Sequence, residues 1–139
     1  MVKYDRSLEG LTAKNTVYRI YRDTRFSSDK TPYKTHVACF LSSWGAKNSG
    51  VPGYYFQLGC DEAYGLKGTC NLGGGIFMPK GYPADWEHAD LLKYKDYCTS
   101  YTMPERMLTS PMLADEVLKV WKASVPLNLF LQRAMEDLQ

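Results

Sequence analysis

The chain contains no Cys-x-x-Cys pair, and its four cysteines, Cys39, Cys60, Cys70 and Cys98, are widely spaced. Cys60, Cys70 and Cys98 have no histidine within a few residues, and His36 and Cys39 would fall on opposite faces of a strand. That is a poor fit to known zinc-ligand spacings, and no metal or other cofactor is implied. No stretch approaches the ~18 apolar residues needed to span a bilayer, so no membrane partner is expected. The opening MVKYDRSLEG has no apolar segment of signal-peptide type. Without a secretory signal the four thiols read as free, mostly small buried hydrophobes, and the expected address is cytoplasmic. Excess charge is scarce as well. A net charge of +2 is too small to argue for nucleic acid by itself. Histidine occurs only at positions 36 and 88, with no orienting group at a known spacing from either, which suits structural or surface roles better than general-base work. No acid pair, Ser-His-Asp order, repeat or low-complexity tract stands out. Gly73-Gly74-Gly75 lacks the phosphate-loop pattern and reads instead as a strand bulge or a close backbone approach.

What is present describes an ordinary folded chain. At 139 residues it fits one domain, and folding can bury roughly two-thirds of its unfolded surface. The pattern predicts a lead-in arm over 1–15, a mainly sheet region over 16–79 and a mainly helical region over 80–139. Strands are expected at Val17–Tyr21, Val37–Leu41, Tyr54–Leu58 and Thr69–Met78, from their β-branched and aromatic content. Val37–Leu41 is apolar on both faces and reads as an inner strand. Loops rather than helices join these strands, which implies antiparallel pairing. After Pro79, Asp85 can cap a short helix through about Tyr94. Ser110-Pro111 can start another helix, with Leu113, Val117, Val120, Trp121 and Ser124 at helical spacing. Pro126 should end or kink that helix, and a final one should follow with Leu127, Phe130, Leu131, Ala134 and Leu138 on one face. The expected class is α+β: an antiparallel sheet of about four strands with C-terminal helices packed on one face.

The densest chemistry lies between the first two expected strands. Arg19, Arg22, Arg25, Lys30 and Lys34 stand there against only two carboxylates, Asp23 and Asp29. Arginine binds phosphate or carboxylate with two prongs, and lysine adds a point charge. Tyr21 and Tyr33 border the same loop, and Lys80 and Tyr82 could close over it. These ten residues form the candidate ligand site. The opposing reading is that Arg22, Arg25, Asp23 and Asp29 pair with one another and support the fold, a common arrangement of modest energetic worth.

The segments RIYRDTRFSSDKTPYKTH, PGYYFQL, GGGIFMP, KGYPAD and LLKYKDY, taken in that order over most of Val17 to Tyr97, resemble the Domain of Unknown Function 2461 family. The C-terminal helices are similar to that family's last helices. Typical members begin with helices not found here upstream of Val17, and they carry a helical insertion where Met78-Pro79 here runs almost directly into Lys80-Gly81-Tyr82. The resemblance therefore implies a shortened member, with an apolar sheet face left for another element or for a second copy of the chain to cover. It implies no activity, because the family has no assigned function.

Three classes of function stay open at this point. One is a binding module for a small phosphate- or carboxylate-bearing ligand at the basic loop. Another is an enzyme using Asp23 or Asp29 as a base beside the arginines, although the absence of any recognisable catalytic set leans against it. The third is a structural or interaction protein whose loop is only an ion-pair network. RNA is a weaker candidate partner, suggested by Tyr18, Tyr21, Phe26 and Tyr33 interleaved with basic residues. A homo-oligomer is compatible with the uncovered sheet face.

Overall fold

Alternation in Tyr54–Leu58 puts Tyr54, Phe56 and Leu58 on one face and Tyr55 and Gln57 on the other, and the sheet is built around that strand. The computed structural model describes residues 1–26, 28–45, 50–59, 70–77 and 96–136. In chain order the elements are the short helix α1 (Ala13–Thr16), strands β1 (Val37–Leu41), β2 (Gly53–Leu58), β3 (Cys70–Phe77) and β4 (Asp96–Thr102), and the helix α2 (Leu113–Glu136). The four strands form one antiparallel sheet in the order β1-β2-β3-β4. The α+β class, the four antiparallel strands and the packed C-terminal helix all agree with the sequence.

The set of four strands differs from expectation at both ends. Val17–Tyr21 is not a strand and makes only isolated bridges, Val17 to Cys39 and Tyr21 to Tyr33. The chain divides its pairing there: the Tyr18 N–H donates to the Ala38 carbonyl, whereas Arg22 and Ile20 bond to Pro32 and Lys34 across the loop. No continuous ladder can form from a segment shared between two partners. The fourth strand is instead Asp96–Thr102, whose Tyr97, Thr99, Tyr101 and Thr102 are strand-favouring residues in the half expected to be mainly helical. β1 lies at the sheet edge rather than inside it. Its apolar character has another cause: Leu41 packs under the N-terminal segment, and the Phe40 ring lies over the bare backbone of Gly53. The helix expected from Asp85 to Tyr94 lies outside the described residues.

The core sits between the sheet and the first half of α2. Cys70, Leu72 and Met103 are buried at its centre, with Phe56, Leu58, Met107, Leu108, Leu113, Val117 and Val120 packed around them. The Ser110 hydroxyl accepts from the Met112 N–H at 3.1 Å, which satisfies one donor at the helix start. Pro126 does not divide the helix, and α2 runs through it as 24 continuous residues. Both Pro126 and Lys122, whose carbonyl loses its partner, are on exposed positions, where such a break is tolerated.

Around and beyond Pro126 the buried face is not the one its apolar residues predict. Ser124, Asn128, Leu131 and Gln132 are buried, whereas Phe130 is 67% exposed. The reason is β3. A Cβ on Gly74 would lie 2.6 Å from the Ser124 Cβ and 2.9 Å from the Asn128 amide nitrogen, so the helix rests directly on the strand backbone. Only small or hydrogen-bonded side chains fit that contact. We therefore expect Gly74→Ala to lower stability by about 1–3 kcal/mol through overpacking. The double variant Gly74→Ala/Ser124→Gly should lose less than the two single changes together, and chemical denaturation of all three measures this.

Candidate functional site

The basic segment folds as an irregular ribbon along the outer side of β1. The Lys34 N–H donates to the Ile20 carbonyl at 2.9 Å and the Arg22 N–H to the Pro32 carbonyl at 3.0 Å, while the Tyr21 and Tyr33 rings face each other at 5.5 Å. Beyond this neck the two aspartates organise the tip. Asp29 turns the chain by accepting from the Thr31 N–H (2.9 Å) and hydroxyl (2.8 Å), and its second oxygen pairs with the Arg22 guanidinium. Asp23 takes the Arg25 guanidinium with both oxygens, from Nε at 3.0 Å and Nη2 at 2.7 Å, and Arg19 approaches it at 3.9 Å. Lys30 donates to the Thr24 carbonyl at 2.8 Å, and Lys34 lies over the Tyr18 ring at 5.5 Å.

The structure thus gathers eight of the ten predicted site residues on one ribbon, and Lys80 and Tyr82 lie outside the described residues. Arg22 and Arg25 are each committed to a carboxylate. Five cations against two anions still leave three positive charges on a surface where Arg19 and Arg25 are largely exposed. Aromatic area is exposed beside them: Tyr21, Tyr33 and Phe26, the last 94% exposed with the Arg25 guanidinium 5.8 Å from its ring centre. Hydrogen bonds from Arg25 hold the Asp23 carboxyl well below the usual carboxylate range. Asp29 is lowered chiefly by its bonds from Thr31, with Arg22 adding to the effect.

Two clefts lie away from the ribbon. An open groove of about 680 Å³ runs between β1–β2 and the start of α2, lined by Met1, Leu41, Phe56, Leu113, Val117 and Trp121. A smaller one of about 260 Å³ shares Met1 and Leu41 and continues under Leu8, Leu11 and Thr16. One wall of the groove is fixed by the Trp121 indole N–H, which donates to the Tyr55 carbonyl at 3.0 Å.

A buried polar seam joins both ends of the described chain to the sheet. Asp5 is 1% exposed and accepts from the Tyr54 hydroxyl at 2.8 Å and from the Ser7 N–H and hydroxyl at 3.0 and 2.6 Å. The Asn128 amide donates to the Gly53 carbonyl at 3.1 Å, and the Gln132 amide to the Ser7 hydroxyl at 3.3 Å. Thr99 Oγ1 accepts from the Gly74 N–H at 3.0 Å and lies 2.7 Å from Ser124 Oγ. Burial, then the bond to Asp5, pushes the Tyr54 hydroxyl well above the usual tyrosine range. The segment expected as a lead-in arm is therefore packed, with Leu8 and Asp5 buried. The sequence reading missed Asp5, Tyr54 and Asn128. The available signal was the spacing of Ser124, Asn128 and Gln132, a polar stripe at i, i+4 and i+8.

A family model described as "Conserved hypothetical protein (DUF2461)" matches residues 1–80 and 72–130. The two matched segments overlap over residues 72–80, a stretch that includes Met78-Pro79, where the resemblance places the missing helical insertion. No curated protein and no solved structure matches the chain.

Two outcomes are expected from this geometry. Tyr54→Phe removes one donor from a buried carboxyl group and should cost about 1–3 kcal/mol, read from the denaturation midpoint. The folded pKa values of Asp23 and Asp29 lie below those of an unfolded chain, so what their pairs contribute is present above the ordinary carboxylate pKa and is lost as pH falls through the folded values. Carboxyl NMR shifts recorded on acidification should show both groups titrating below the ordinary carboxylate range.

Proposed function

The chain belongs to the DUF2461 family of conserved hypothetical proteins, and from that premise we propose that it is a binding module whose ribbon over 18–34 holds a phosphate- or carboxylate-bearing ligand at the surface. The observation that supports this reading most is the positive charge left over once Asp23 and Asp29 are paired, set among exposed aromatic rings. The paired arginines keep their planes fixed, and a guanidinium already held by one carboxylate still has N–H donors to offer a second anion. Lys30 and Lys34 have no aspartate partner in the ribbon, and Arg19 shares Asp23 with Arg25 at the longer distance of 3.9 Å, so these three supply the excess charge. A cytoplasmic address belongs to the same proposal, supported by the unpaired thiols of Cys39, Cys70 and Cys98. No helix among the described residues is long and apolar enough to cross a membrane.

A second reading, that the ribbon is only a fold support, is favoured by one observation: each aspartate has an arginine partner within the ribbon itself. A catalytic role for Asp23 or Asp29 draws no such support. Both are exposed and hydrogen-bonded in their charged form, and a lowered pKa makes a weak base.

Thermal melts with inorganic phosphate, pyrophosphate and citrate separate the two surviving readings. A bound anion stabilises by about 2.7 kcal/mol at 100 times its dissociation constant, so millimolar anion should raise the melting temperature. Arg19→Gln/Lys34→Gln, which leaves the Arg22–Asp29 and Arg25–Asp23 pairs intact, should abolish that rise. No rise with any of the three anions, or an equal rise in the double variant, would sink the binding reading. Arg22→Ala lowering stability without changing the anion response would support the scaffold.

A further inference from the structure

The ribbon shows water more aromatic surface than a bare anion would use. Tyr21, Phe26 and Tyr33 are 57%, 94% and 55% exposed. Single exposed apolar residues are ordinary, but these three share one basic loop. The backbone sets the two tyrosines. The Arg22 N–H donates to the Pro32 carbonyl and the Lys34 N–H to the Ile20 carbonyl, on either side of the bridge between Tyr21 and Tyr33. That makes the tyrosines a non-hydrogen-bonded pair, the position where cross-strand side chains approach closest. Their rings lie 5.5 Å apart with 35° between the planes. No third ring fits between them, so what they offer a ligand is their outer faces.

Charge is gathered at the same place. Arg19 and Asp23 bracket Tyr21, two residues to either side, and their side chains approach to 3.9 Å. Arg25 pairs with the same carboxylate at 2.7 Å, so one negative charge is set against two guanidinium groups. Arg25 also lies 5.8 Å from the centre of the Phe26 ring. We propose that the anion held by the ribbon is a nucleoside phosphate, with the phosphate on Arg19 and Arg25 and the planar base stacked on the outer face of the Tyr21–Tyr33 pair. This inference rests on the anion-binding reading and deepens it. Inorganic phosphate or citrate would use the arginines and leave the rings idle. A nucleotide uses both, because guanidinium groups grip phosphate with two prongs and every base has a face that stacks on an aromatic ring. Phe26 then offers a second platform, which suits the next base when the nucleotide belongs to a single strand.

Calorimetric titration of the full chain with AMP and with ribose 5-phosphate at low salt tests this. AMP should bind about tenfold more tightly, the order expected for one stacked base. Tyrosine ring protons should move upfield with AMP and stay in place with ribose 5-phosphate. Tyr33→Leu should bring the affinity ratio of the two probes close to one, whereas Tyr33→Phe, which keeps the ring, should preserve it. If Tyr33→Leu fails to fold, the wild-type ratio and the ring shifts still decide. A pentanucleotide of adenylate that binds more tightly than AMP, with the gain lost in Phe26→Leu, would support the proposal with a single strand as the source. A pentanucleotide that gains nothing over AMP would support it with the free nucleotide. Equal affinity for AMP and ribose 5-phosphate would overturn the proposal and leave the anion-binding reading in place, as would a ratio indifferent to Tyr33→Leu. No binding of either probe would overturn both.

Discussion

The bond from the Tyr54 hydroxyl to the Asp5 carboxyl group is the contact on which the arrangement of sheet, helix and N-terminal segment depends. A buried carboxyl group is costly unless its oxygens find donors. Asp5 finds three, two from Ser7 and one from Tyr54, and meeting that requirement fixes where the first residues must lie. Ser7 in turn receives the Gln132 amide, while Asn128 on the next turn of α2 reaches the Gly53 carbonyl beside Tyr54. The helix is held at a defined rotation by hydrogen bonds, and this explains why its second half buries Ser124, Asn128 and Gln132 and leaves Phe130 outside. Apolar burial alone would have turned it the other way.

The glycine run of β3 is the complement of that seam. With no side chain at Gly74, α2 descends onto the strand backbone. At Gly73 and Gly75 a Cβ would land on the carbonyl oxygens of Thr99 and Tyr97 in β4. The middle of the sheet is therefore contacted by backbone from one side and by small polar side chains from the other. Thr99 bridges both, accepting from the Gly74 N–H and meeting Ser124. The hydrophobic core is displaced toward Cys70, Leu72 and Met103 at the other end of the strand, beside the first turns of α2.

The parts legible in the sequence were those set by local pattern. Alternation identified β1 and β2 to within a residue, and Ser110-Pro111 marked the start of α2. The parts that were not legible depend on partners distant in the chain. Val17–Tyr21 has strand composition, but its hydrogen bonds are divided between β1 and its own loop. β4 has strand composition too, but it follows a stretch whose signals are helical. Pro126 is a helix breaker whose effect is absorbed because it faces solvent. The basic ribbon was legible as a cluster of charge, and its aspartates pair with arginines as the scaffold reading expected. What charge remains for a ligand depends on geometry that spacing does not encode. Asp5 carried no local sign of importance, since its partner lies 49 positions away.

The clasp between Ser7 and Gln132 spans 125 positions. Contacts of such separation are slow to form, because the entropy of closing the intervening chain is lost before the contact returns anything. During synthesis the sheet can pair as its strands emerge, but the seam cannot close until residue 132 has left the ribosome. Until then the Gly53 carbonyl, the Ser7 hydroxyl and the bare backbone of Gly74 lack their partners on α2. The nascent protein is thus a sheet awaiting α2, and chaperone contact or premature strand capture has its longest opportunity in that interval.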